Sequence, residues 1–238
     1  MRCNTLYSNG LSAILLSTAF LFSSQAFAQE ESVKPGINDN FVNPEVDYYV
    51  NMFEGESRTI FKHRNEIIDV LELEPGTDVA DIGAGTGFFS RMMAHKVGRR
   101  GKVYAVDIAE NFIKHIDEMA KKDGLKNIEA IVCSERSVDL PKNSIDVAFI
   151  CDVYHHFEYP FDSMASLHEA MRPGGRLVIV DFERVVGVSR EWTLGHIRCG
   201  KGTVTDEVKD SGFDLVEEVD LGMGDQWVRV YTKREPTS

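Results

Sequence analysis

A short apolar strand that runs into glycines at every second position constrains this chain more than any other feature. Val79-Ala80-Asp81-Ile82 leads into Gly83-Ala84-Gly85-Thr86-Gly87, and an amphipathic stretch reaching about Val97 follows. Glycine removes the side chain where backbone must lie close to a ligand, and the helix start beyond it offers unpaired N–H groups. The dinucleotide fingerprint G-x-G-x-x-G needs a third glycine where Phe88 stands. That leaves a nicotinamide-dependent oxidoreductase as the weakest reading of the turn. A second strand, Val103-Tyr104-Ala105-Val106, ends on Asp107. An acid at that tip can accept hydrogen bonds from both hydroxyls of a ribose.

The alternation continues along the chain. Strands are expected at 77–82, 102–106, 127–132, 145–151, 176–182, 213–221 and 226–232. Helices are expected from the glycine turn to about 97 and at 110–122, 160–171 and 203–211, with 45–72 helical in two pieces broken near Gly55. Strands separated by helices imply a parallel sheet covered on both faces. Only Gly222-Met223-Gly224-Asp225 joins the last two strands, so they form a hairpin and one strand runs antiparallel.

The 238 residues are 43% hydrophobic and 27% charged, enough for one domain with a full core. A net charge of -12 argues against nucleic acid or an anionic membrane as partner, since both select clustered Lys and Arg. Residues 1–28 read as an export signal: Arg2 is the only charge before Glu30, residues 11–22 are mostly apolar, and Ala26-Phe27-Ala28 is a small-x-small site. The apolar run falls short of the about 20 residues of a membrane span. A periplasmic or secreted chain, cleaved near Ala28 and free of the membrane afterwards, is expected. Residues 29–44 read as a flexible linker, and 45–238 as the domain, with its N-terminal helices as a lid. Cys133, Cys151 and Cys199 have no close pairing, which points to neither a zinc site nor a disulfide framework.

The glycine turn together with Asp107 resembles class I S-adenosylmethionine-dependent methyltransferases. Within them it is most similar to a bacterial group with an export signal, an Ala-Asp-Ile-Gly-Ala-Gly-Thr-Gly turn (80–87 here) and an Asp-Val-Tyr-His-His-Phe segment (152–157 here). The likeness runs from residue 53 to about 232. It implies a Rossmann-like α/β fold with a seven-stranded, mostly parallel sheet in the order 3-2-1-4-5-7-6, helices on both faces and one antiparallel strand. It implies S-adenosyl-L-methionine as cofactor, with Asp81 and the backbone of Gly83, Ala84, Gly85, Thr86 and Gly87 facing its methionine part. Asp107 would hold the ribose and Ile108 pack on the adenine, with Ser134 and Glu135 at the adenine edge. Many relatives start that last loop with Gly-Asp, where this chain has Cys133-Ser134.

Ligands of open α/β sheets sit outside the C-terminal strand ends, which places Asp152-Val153-Tyr154-His155-His156-Phe157 beside the reacting methyl group. An O–H or S–H acceptor must lose a proton, a task that suits histidine. His155 is the favoured base, His156 the second choice, and Asp152 an orienting acid or a cofactor contact. Tyr154, Trp192, His196, Arg198 and Tyr49 are candidates for the acceptor pocket, with Arg198 as a clamp for an acidic group. Tyr48, Phe53 and Arg58 join Tyr49 in the lid. No metal is expected, because Asp152, His155 and His156 share one short loop and adjacent ligands rarely complete a site. The expected activity is methyl transfer to a small-molecule acceptor by a monomer or homodimer. The alternative is a non-catalytic module that binds S-adenosylmethionine or its demethylated product.

Overall fold

The computed structural model describes residues 29–235, so the expected signal at 1–28 lies outside the described residues. Seven strands form one sheet: β1 (Val79–Ile82), β2 (Val103–Asp107), β3 (Ile128–Val132), β4 (Ile145–Cys151), β5 (Met171–Phe182), β6 (Phe213–Val219) and β7 (Gln226–Lys233). Their order is β3-β2-β1-β4-β5-β7-β6. β7 pairs antiparallel with both β5 and β6, and the remaining pairs are parallel. Order and direction match the expectation.

Side chains alternate across a strand, and this divides the core. Ala80, Ile82, Ala148, Ile150, Leu177 and Ile179 pack on one face with Met164, Leu167, Val204 and Val208. These last residues belong to α6 (Pro160–Ala170) and α8 (Lys201–Asp210). Val79, Val147, Phe149, Val178 and Val180 pack on the other face with Phe89, Met93, Ala94 and Val97, the buried stripe of α4 (Phe88–Val97). Helix α5 (Glu110–Asp123) buries Phe112, Ile113, Ile116 and Ala120 and ends at Gly124 in the left-handed conformation.

Several boundaries differ from the sequence reading. The N-terminal helical region breaks twice, into α1 (Val46–Phe53), α2 (Thr59–Lys62) and α3 (Arg64–Val70), the second break falling at His63. Strand β5 begins at Met171, because the Arg172-Pro173-Gly174-Gly175 turn is absorbed as an irregular lead-in with a register shift opposite Ile145 and Val147. A helix not expected from the sequence, α7 (Glu191–His196), follows β5.

Residues 29–44 are not a lead-in without partners. The Glu158 carboxylate accepts from Ser32 Oγ at 2.6 Å and from the Gly36 N–H at 3.1 Å. Its carbonyl accepts from the Val33 N–H at 2.9 Å, and Asn38 donates to the His156 carbonyl at 3.1 Å. Proline, glycine and asparagine content suggests looseness, but the buried acceptors of Glu158 tie the segment down as a strap.

Candidate active site

The ends of β1, β2 and β4 open into a cavity of about 750 Å³, within the range of small-molecule sites. It lies where the strand order reverses, between β1 and β4. Gly83 and Gly85 both line it. Gly83 has φ +72°, and a Cβ there would lie 2.4 Å from Val153 Cγ1, so only glycine fits. Gly85 has φ +53°, and a Cβ there would press on the Phe53 ring at 3.3 Å.

Asp107 also lines the cavity, 7% exposed. Its Oδ2 accepts from the Gly85 N–H at 2.8 Å and its Oδ1 from the Ala109 N–H at 2.9 Å. A carboxylate has about four acceptor positions, so capacity for ligand hydroxyls remains. Burial pushes its pKa up to about 6, opposed by the N–H groups of Ala109, Gly85 and Ile108. Ile108, Ser134 and Glu135 line the same cavity.

Asp81, Ala84, Thr86 and Gly87 do not line it. Asp81 turns toward α4, where its Oδ2 accepts from Ser90 Oγ at 2.6 Å. Burial first, then the charge of Asp107, raises its pKa to about 7, against the bond from Ser90. Asp81 therefore ties the glycine turn to the helix behind it instead of facing a ligand. Alternation explains this, because each strand position faces opposite to its neighbour.

The β4 side of the cavity carries Asp152, His155 and His156, joined by Trp192 and His196 from α7 and Tyr49 from α1. Asp152 holds φ +54°. It does not orient a histidine: its oxygens accept from Arg58 Nη2 at 2.5 Å and Gln226 Nε2 at 2.6 Å. Burial lifts its pKa to about 6 despite Arg58. The acid that holds His155 is Asp181, near the end of β5, with Oδ1 2.7 Å from His155 Nδ1 and Oδ2 accepting the His155 N–H at 3.1 Å. Asp181 has the same placement on its strand that drew attention to Asp107, so the signal was present in Val180-Asp181-Phe182. Gln226 and Glu158 carried no local signal, because their partners are remote in sequence.

Two substrate candidates fall away. Tyr154 is fully buried in the core. Arg198 is paired with Glu207 through contacts of 2.9 and 2.7 Å and lies over the Tyr154 ring. Neither lines the cavity, since the turn after β4 points Tyr154 down between the sheet and α8 while His155 and His156 stay above. Trp192 is 56% exposed and stacks on His196 at 4.9 Å. Tyr49 packs with Phe41, Phe53 and Phe112.

Residues 73–221 match the family described as Methyltransferase domain. The chain belongs to that family. The matched span holds the glycine turn, Asp107, the histidine pair, Asp181 and His196, and excludes the strap, the lid helices and β7. The demethylmenaquinone methyltransferase of Listeria welshimeri is 30% identical over 120 residues, 50% of this chain and 51% of that protein. The ubiquinone/menaquinone biosynthesis C-methyltransferase UbiE of Ectopseudomonas mendocina is 29% identical over 118 residues, 49% of this chain and 46% of that protein. The chain thus spans about half the length of the curated relatives it matches. A SAM dependent methyltransferase from Aquifex aeolicus has the same fold, with a TM-score of 0.69 and 23% identity over 78% of this chain and 97% of that one.

Proposed function

We propose that this methyltransferase-family chain transfers a methyl group from S-adenosylmethionine to a small-molecule acceptor. One observation carries the reading: Asp107 and the bare Gly85 turn meet on one wall of a cavity whose other wall holds three histidines. The donor set fits the cofactor, with spare carboxylate acceptors for ribose hydroxyls, no Cβ at Gly85 and the apolar Ile108 for a base.

When bound, S-adenosylmethionine supplies a methyl group on a sulfonium, open to in-line displacement. Asp107 holds the ribose and Ile108 packs on the adenine, with Ser134 and Glu135 at its edge. Asp81 anchors the turn through Ser90. Phe53 and Arg58, the latter tied to Asp152, cover the cavity and exclude water. Phe41, Tyr49, Phe157 and Trp192 line the acceptor side, a wall suited to a flat, apolar molecule; two relatives are named for methylation of quinones or their precursors. Asp181 fixes the His155 ring and leaves Nε2 as the nitrogen for chemistry.

Calorimetry with S-adenosylhomocysteine tests the reading. The intact chain is expected to bind, and Asp107→Ala to bind about ten- to hundred-fold more weakly, the loss of one or two hydrogen bonds to a charged group. Gly85→Val should abolish binding. No binding of this product or of S-adenosylmethionine by the intact chain would sink the proposal. Binding without turnover on a panel of phenols, quinols and thiols would favour a non-catalytic module. Export is part of the same reading: cell fractionation and N-terminal sequencing should find a chain starting near Gln29 outside the cytoplasm.

A further inference from the structure

His155, His156 and His196 each direct a ring nitrogen to one place, and these atoms lie within 4.8 Å of one another. The first two come from the turn after β4. The third comes from α7, which shares no element with them, so the two segments meet only through folding. The ring centroids are 4.4, 5.2 and 5.0 Å apart for the pairs 155–156, 155–196 and 156–196. All three line the large cavity.

We propose that these three histidines form a binding site for a divalent transition-metal ion of the zinc class, with the remaining coordination position facing the acceptor. Imidazole is a preferred ligand for such ions, and three protein ligands plus one open position is the pattern of catalytic zinc. Zinc–nitrogen bonds of about 2.0–2.1 Å put tetrahedral neighbours roughly 3.4 Å apart, so nitrogens that lie within 4.8 Å of one another must draw together to bind. His196 stands on the short α7, outside the core sheet, and is the ring that moves in this proposal.

Two further features fit a ligand set better than a packing cluster. Asp181 grips His155 Nδ1 at 2.7 Å, the carboxylate–histidine arrangement that fixes a metal ligand's tautomer and orientation. Among the described residues His156 Nδ1 is buried with no hydrogen-bond partner, the kind of orphan that an ion explains.

The catalytic use of the ion rests on the methyl-transfer reading, whereas binding of the ion does not. An acceptor O–H or S–H that joins the ion is acidified and releases its proton to water. The oxygen or sulfur lone pair then forms a bond to the methyl carbon. The carbon–sulfonium bond breaks, and its electron pair stays on the sulfur.

The test uses the untagged full chain, stripped of metal with a chelator and titrated with Zn²⁺ against a chromogenic chelating dye. One equivalent per chain is expected, and Co²⁺ should give the visible bands of a four-coordinate site. Asp181→Asn should weaken Zn²⁺ binding about 10–100-fold, and His196→Ala more. Melting curves report whether each variant folds; should Asp181→Asn not fold, His196→Ala, on a helix outside the core sheet, carries the comparison. Substoichiometric Zn²⁺ in the intact chain, or unchanged affinity in folded His196→Ala, overturns the proposal. S-adenosylhomocysteine calorimetry on the stripped protein separates the two readings: product binding without Zn²⁺ binding refutes the metal site alone, and Zn²⁺ binding without product binding refutes methyl transfer alone.

Discussion

Asp81 and Asp107 are both buried acids, with pKa values raised to about 7 and about 6 by loss of hydration. Between about pH 4 and pH 7 the folded protein therefore holds more protons than the unfolded chain. Stability of the ligand-free protein should fall as pH rises through that window. Ribose hydroxyls that donate to Asp107 favour its carboxylate form and remove part of this loss. The rise in melting temperature produced by S-adenosylhomocysteine should thus be larger at pH 8 than at pH 5, measured by scanning calorimetry; an equal or opposite trend would contradict the assignment of Asp107. Gly83 gives a second test at this scale. Gly83→Ala forces a Cβ to 2.4 Å from Val153 and into φ +72°. Left-handed strain and overpacking together should destabilise the domain by roughly 2–4 kcal/mol in urea unfolding.

The strap and the lid helices hold the cavity's outer wall through few, identifiable bonds. Glu158 is 6% exposed and anchors Ser32 and Gly36 with its side chain. Glu158→Ala should cost about 1–3 kcal/mol. It should also speed hydrogen exchange over residues 33–41 while leaving β1 and β4 protected, read by mass spectrometry. Global loss of protection would mean that the strap is part of the folding core. The lid has a comparable tie in Arg58–Asp152, supported by Arg91–Glu54 at 2.8 Å. Arg58→Ala strands a buried carboxylate, so it should lower stability by about 1–3 kcal/mol, with less effect at pH 5, where Asp152, raised to about 6, is already protonated.

At the scale of the whole molecule, the sheet order reverses between β1 and β4 and leaves a crevice there. Ligand at about 100 times its Kd should stabilise the fold by about 2.7 kcal/mol, a rise of roughly 5–10 °C in Tm for a domain of this size. The alternation of strands and helices, the antiparallel hairpin and the acid–glycine turn were legible in the chain itself, and the sheet order came from the family resemblance that the turn carries. The first three are written locally, in strand-length apolar runs, a turn that tolerates no side chain and a short glycine link between the last strands. Partnerships between distant segments were not legible. Asp152 looked like the orienting acid because it is near His155 in sequence, yet Asp181 on the next strand holds that ring. Arg198 looked like an acceptor clamp until Glu207 took it. His196 joined the two histidines of the β4 turn only when α7 packed beside them. Periodicity and turn chemistry act over a few residues and so can be read along the chain. Which side chains face one another depends on how helices and loops settle on the finished sheet, and that placement is set by burial and hydrogen bonding across long sequence separations.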